Sequence, residues 1–105
     1  SADRPAPTLI VGQINLDLTN RRVTCSGNHV ELTPTEFSLL EILMRNAGQV
    51  VTRKMLCEHL WEGEWEGVTN VIEVHVNRLR NKLAQAGTDG LIQTIRGRGY
   101  ALKAL

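Results

Sequence analysis

A chain of 105 residues has room for one domain built around its own core and little left for a second. Its hydrophobic fraction of 42% argues against a disordered chain, and no apolar run approaches the roughly 20 residues of a membrane span. The formal net charge is only +1, but it is unevenly spread: residues 1–69 hold six Lys/Arg against nine Asp/Glu, whereas residues 70–105 hold six against two. A basic last third on an acidic remainder marks a face that meets an anion.

Residues 1–7, with Pro5 and Pro7, have neither the charged nor the apolar region of a signal peptide and are expected to be a linker stub; the domain is expected over residues 8–105, in the cytoplasm. Short alternating segments at 8–11, 14–18, 22–25 and 30–32 predict four strands, separated by turn signals at Gly12, Thr19-Asn20 and Ser26-Gly27-Asn28. Connections this short favour an antiparallel meander. Cys25 and Cys57 lie in apolar-patterned segments and are expected to be reduced, structural thiols.

The period then changes from two to 3.6. Thr33-Pro34-Thr35-Glu36 has the form of a helix start, with Thr33 as N-cap, Pro34 at the first helical position and Glu36 closing a capping box. Phe37, Leu40, Leu43 and Met44 follow at helical spacing, and Asn46-Ala47-Gly48 supplies the stop. A second, short helix starts at Thr52 and ends near Trp61; residues 62–69, rich in Gly and Glu, form a loop; the third and longest helix covers 70–86. Segments 91–95 and 100–103 flank Arg96-Gly97-Arg98-Gly99 as a terminal hairpin. The fold class is therefore α+β. A short helix followed by a longer one can form a helix-turn-helix, and a basic hairpin directly after it can act as a wing.

Each residue of a helix turns about 100°, so Val76, Leu79 and Leu83 fall within about 40° of Ile72 and form a core stripe. Opposite lie Asn70, Val74, Asn77, Arg78 and Asn81, with Val71 and His75 toward one edge. This face holds no Asp or Glu; the one acid of the helix, Glu73, sits on the flank. Such a face suits the edges of base pairs. Arginine can bind guanine O6 and N7, asparagine can bind adenine N6 and N7, and valine can pack on a thymine methyl. His75, Arg80 and Lys82 lie where phosphates would pass, and Thr94 at the hairpin can hydrogen-bond another. Arg96 and Arg98 at the hairpin tip suit the negative potential of a minor groove.

Other chemistries find little support. Cys57-Glu58-His59 has the look of a metal-ligand pair, but Cys25, His29 and His75 are scattered and no four-ligand spacing occurs, so neither metal nor cofactor is expected. No nucleophile–base pair, paired acids or nucleotide loop can be recognised, so an enzyme is not expected. A helix-turn-helix kept as a protein-interaction module is the rival. It would need neither an acid-free outward face nor arginines at the hairpin, and its affinity would change little with salt.

From residue 14 to residue 102 the chain resembles, block by block, the effector domain of OmpR/PhoB-family response regulators. The resemblance rests on Leu32-Thr33-Pro34-Thr35-Glu36-Phe37-Ser38-Leu39-Leu40, on Gly48-Gln49-Val50-Val51-Thr52-Arg53 and on Leu60-Trp61. It is strongest in Asn70-Val71-Ile72-Glu73-Val74-His75-Val76-Asn77-Arg78-Leu79-Arg80-Asn81-Lys82-Leu83 and in Ile95-Arg96-Gly97-Arg98-Gly99-Tyr100. It implies a winged helix-turn-helix: a four-stranded antiparallel sheet behind a three-helix core, the third helix in the major groove of duplex DNA and the hairpin wing in the minor groove. It further implies phosphate contacts from Thr35, Thr52, Arg53 and Trp61, tandem dimers on direct repeats, and control by a receiver domain that this sequence lacks. The chain is then a fragment, expected to be monomeric by itself. Asn77 departs from many relatives, which carry a basic residue there, and this points to reading of adenine in place of a backbone contact. Glu62, Glu64, Trp65 and Glu66 occupy a loop with which relatives can touch RNA polymerase; its acids would repel DNA and suit a basic protein surface.

Overall fold

The computed structural model describes residues 8–61, 69–88 and 90–103. Four strands, β1 (Thr8–Val11), β2 (Ile14–Asp17), β3 (Arg22–Cys25) and β4 (Asn28–Val30), form an antiparallel sheet in sequence order. Pairing Ile14 with Cys25, Leu16 with Val23, and Val23 with Val30 gathers one apolar side chain from every second position onto a single buried face. The intervening Asn15 and Arg22 are exposed.

Two turns set the strand ends differently from the sequence expectation. β2 stops at Asp17, not Leu18, because the Asp17 carboxylate accepts from the backbone N–H groups of Thr19 and Asn20 at 3.0 and 3.1 Å. β4 runs over Asn28–Val30 instead of 30–32. The β3–β4 turn needs only Ser26 and Gly27, both at positive φ (54° and 82°), so Asn28 already pairs with Cys25.

The helical half begins at α1 (Pro34–Arg45), whose capping box forms as its sequence prescribes: the Glu36 N–H donates to Thr33 Oγ1 and the Thr33 N–H to Glu36 Oε1, at 3.2 and 3.0 Å. α1 is the hub, packing against α2 (Arg53–Trp61), α3 (Thr69–Gln85) and the sheet. Phe37, Leu39, Leu40, Leu43, Leu56, Ile72, Val76, Leu79 and Leu83 fill the interior between them. The stripe read from the third helix is thus its buried side. α3 ends in a Schellman motif, with the Gly87 N–H donating to Ala84 O and the Thr88 N–H to Leu83 O, at 3.1 and 2.9 Å. Gly87 takes φ 99° there. Cys25 and Cys57 are free and buried. Among the described residues no helix is long and apolar enough to cross a membrane.

The chain closes with a hairpin of β6 (Ile92–Ile95), which begins one residue later than the sequence pattern suggests, and β7 (Gly99–Leu102), which is shifted one residue earlier at both ends. One element went unanticipated. Val51 and Thr52 form a strand between α1 and α2, here β5, that pairs with Tyr100 and Gly99 and makes a three-stranded sheet in the order β5-β7-β6. Two residues carry too little pattern to be noticed, and the pairing exists only because β7 returns to meet them. A Cβ on Gly99 would stand 2.1 Å from the Val51 carbonyl oxygen, at φ 155°. Gly99 is therefore required by the approach of β5, beyond any turn it serves.

Substituting Gly99→Ala is expected to destabilise the fold by about 3 kcal/mol, since backbone stands where the methyl must go. Gly97→Ala, also at positive φ (75°) but with open space around it, is expected to cost only about 1 kcal/mol. Urea unfolding of the two variants checks the contrast; equal losses would show that φ alone matters at both sites.

Candidate nucleic-acid interface

With its apolar stripe committed to the core, α3 can turn only one face outward. Val74, Asn77, Arg78 and Asn81 are all exposed on it, Val74 by 45% although it is apolar. Asn70 and Val71 stand in the first turn of the same helix, and Trp61 at the last position of α2, but their side chains lie outside the described residues, as do Glu62, Glu64, Trp65 and Glu66. Beside α3 the hairpin turns at Arg96, Gly97 and Arg98, all exposed, with the Arg98 N–H donating to Ile95 O at 2.9 Å.

The flanking residues are positioned by internal contacts that sequence spacing does not reveal. Glu36 is only 1% exposed, and a buried carboxylate needs a partner. It receives Lys82 Nζ from α3 as well as the Thr33 N–H. Burial alone would raise the Glu36 pKa, but hydrogen bonds from Lys82 and Thr33 and the Lys82 charge outweigh it and hold the carboxyl below the usual glutamate value. Lys82 is therefore engaged with α1. On the opposite flank Arg53 of α2 pairs with Glu73 of α3 at 3.1 Å, both about half exposed, so the single acid of the third helix is answered locally. Thr52 caps α2, its Oγ1 accepting from the Met55 N–H at 3.1 Å. Thr35 is half-buried in the first turn of α1, and His75 is half-buried on α3.

Arg80 ties helix to wing. Its Nε donates to the Ile92 carbonyl at 3.1 Å, its Nη2 to Thr94 Oγ1 at 2.6 Å and its Nη1 to Asn77 Oδ1 at 3.3 Å, while the guanidinium lies 5.8 Å from the centre of the Tyr100 ring. Three of the residues read from sequence, Asn77, Arg80 and Thr94, are thus one network. The i,i+3 spacing of Asn77 and Arg80 could have suggested their contact; the link to Thr94, 14 residues on, could not. Burial and the neighbouring Glu58 charge raise the Cys57 thiol pKa, which keeps it neutral in the core. Among the described residues no three His, Cys, Asp or Glu side chains come together as a metal site.

The arrangement presents an outward row of amides, one guanidinium and an aliphatic group, with an arginine-tipped hairpin alongside. The profile of the family described as "Transcriptional regulatory protein, C terminal" matches residues 27–102. The chain is 44% identical over 101 residues to response regulator protein PmrA of Pseudomonas aeruginosa, covering 94% of this chain and 43% of that protein. It spans less than half the length of the curated relatives it matches. Among solved structures it resembles the Klebsiella pneumoniae RstA DNA-binding domain, crystallised in complex with the RstA box, with TM-score 0.81, 32% identity and coverage of 92% of this chain and 97% of that one. It similarly matches the DNA-binding domain of CpxR from E. coli, with TM-score 0.82, 33% identity and coverage of 93% and 97%.

Because Glu36 titrates lower in the folded chain than in the unfolded one, its stabilising effect is complete above the ordinary glutamate range and is lost as pH falls through that range toward the lowered value. Glu36→Gln is expected to lose about 1–2 kcal/mol at neutral pH and to flatten the acid side of the stability profile. Unfolding midpoints between pH 3 and pH 7 test this; an unchanged acid slope in the variant would remove Glu36 as a source of it.

Proposed function

The chain belongs to the OmpR/PhoB-type family of transcriptional regulatory protein C-terminal domains, and from that premise we propose that it binds duplex DNA sequence-specifically as the output domain of a two-component response regulator. The observation that carries this reading is the acid-free outward face of α3 standing next to a wing tipped by Arg96 and Arg98. In this proposal α3 enters the major groove, with Arg78 against a guanine, Asn70 and Asn81 against base edges, and Val71 and Val74 against thymine methyls. Arg96 and Arg98 enter the minor groove. Thr35, Thr52, Arg53, Trp61, His75 and Thr94 supply backbone contacts; for Arg53, Arg80 and Lys82 those contacts must be made while they hold their internal partners. Residues 8–105 are the DNA-binding domain, and residues 1–7 the end of a linker from a receiver domain.

Relatives named as response regulators and a relative crystallised on its DNA box support the reading. We place the chain in the cytoplasm, without a membrane role, acting as a tandem dimer on direct repeats and as a monomer off DNA. The family is one of transcriptional regulators and not an enzyme class.

Anisotropy of a labelled duplex at about 50 and about 200 mM salt tests the central claim. Neutralising about four phosphates makes affinity fall roughly a hundredfold across that interval. Arg78→Ala is expected to relax the preference among duplexes more than it weakens binding overall. Absence of binding at low salt by the folded chain would transfer the outward face to a protein partner.

The segment 62–69, whose last residue Thr69 opens α3, is proposed as a contact to RNA polymerase, with Trp65 as anchor and Glu62, Glu64 and Glu66 as its acidic surround. Trp65→Ala should leave DNA affinity unchanged and reduce transcription from a responsive promoter several-fold. Full activation by the variant would end that proposal.

A further inference from the structure

The network around Arg80 determines which end of the Asn77 amide can be offered outward. A guanidinium carries only donors, so the atom it meets on Asn77 must be the oxygen. Turning the amide over would set its NH2 against the Nη1 N–H groups. With Oδ1 at 3.3 Å from Arg80 Nη1, one of its two lone pairs is taken by a cation, while both N–H bonds on Nδ2 of this exposed side chain remain to be donated. Arg80 is not free to follow a flipped amide, because its Nε and Nη2 are fixed on the Ile92 carbonyl and Thr94 Oγ1 and its plane lies near Tyr100. Thr94 is polarised in the same sense: its oxygen accepts from Arg80, so its own O–H remains to donate.

This bears on base choice. Adenine in the major groove offers N7 as acceptor and N6 as donor, so the bidentate asparagine contact uses the carbonyl oxygen as well as the NH2. An adenine N6 hydrogen approaching Oδ1 would also approach the positive guanidinium. Guanine offers N7 and O6, both acceptors, and two N–H bonds on one nitrogen can serve them. Resting on the DNA-binding reading above, we propose that Asn77 is a specificity-determining residue that selects guanine over adenine, and that Arg80 is the positioning residue that biases it toward donation. The general pairing of asparagine with adenine is reversed here by a neighbour three residues along the helix.

Selection from a random duplex library, carried out with the wild-type chain, Asn77→Ala and Arg80→Met, tests the assignment. Methionine keeps an unbranched stem at position 80 and removes every donor. The wild type is expected to show one base pair at which guanine is preferred to adenine by about tenfold and at which Asn77→Ala relaxes the preference. Placing 7-deazaguanine there should weaken wild-type binding and leave Asn77→Ala unaffected. Arg80→Met, which also loosens the wing and lowers affinity generally, should shift the choice at that base pair toward adenine while the position relaxed by Arg78→Ala keeps its preference. The proposal is overturned if the wild type prefers adenine at the base pair that Asn77→Ala relaxes, if Asn77→Ala weakens all duplexes equally, or if Arg80→Met lowers affinity with no change of preference. Those outcomes leave DNA binding intact and remove this assignment alone; a folded wild-type chain that binds no duplex removes the DNA reading and this inference together.

Discussion

Glu36 sits with 1% of its surface exposed where the first turn of α1 meets the far half of α3, and a carboxylate in that position must be satisfied from both sides. From its own helix it takes the Thr33 N–H, which fixes where α1 begins. From α3 it takes Lys82, which limits how far that helix can be rotated about its axis. The apolar stripe of Ile72, Val76, Leu79 and Leu83 narrows the same rotation by burial, although apolar packing alone tolerates some rolling. The outward presentation of Val74, Asn77, Arg78 and Asn81 thus follows from contacts made on the other side of α3.

The wing is held by a second constraint. Its return strand β7 is sandwiched between β6 and the two-residue β5, and Gly99 lets the β5 backbone come closer than any side chain would permit. Because β5 immediately precedes α2, the hairpin is anchored to the start of the helix-turn-helix as well as to its end. Arg80 adds the lateral tie from α3 to Ile92 and Thr94. Helix and wing are consequently joined by both strand pairing and side-chain bonds, and such prior positioning reduces the ordering cost of binding. Within this pair the polar groups are biased toward donation, as suits a polyanion whose exposed atoms are largely acceptors.

Charge follows the same division of labour. The acidic first two thirds of the chain supply the sheet, α1 and α2, while the basic last third supplies the outward helix and the wing. The one acid on α3 within reach of that face, Glu73, is paired with Arg53 and so is partly neutralised where it would otherwise repel phosphate. A domain with a net charge of +1 can in this way present a locally positive surface.

Local order along the chain was legible in the sequence wherever the signal is local. The capping box at Thr33 and Glu36, the stripe on the third helix, the glycine stop at Gly87 and the four alternating strands each depend on residues within a turn or two of one another, and each stands in the fold close to where the pattern put it. Family blocks added the winged arrangement. What depends on chain segments far apart was not legible: β5, the true reason for Gly99, the Glu36–Lys82 and Arg53–Glu73 pairs, and the bond from Arg80 to Thr94. Sequence determined which side chains are outward on α3; only the tertiary structure decided which of their atoms are, because the partner that holds Asn77 Oδ1 is itself held by a strand the sequence places 12 residues later.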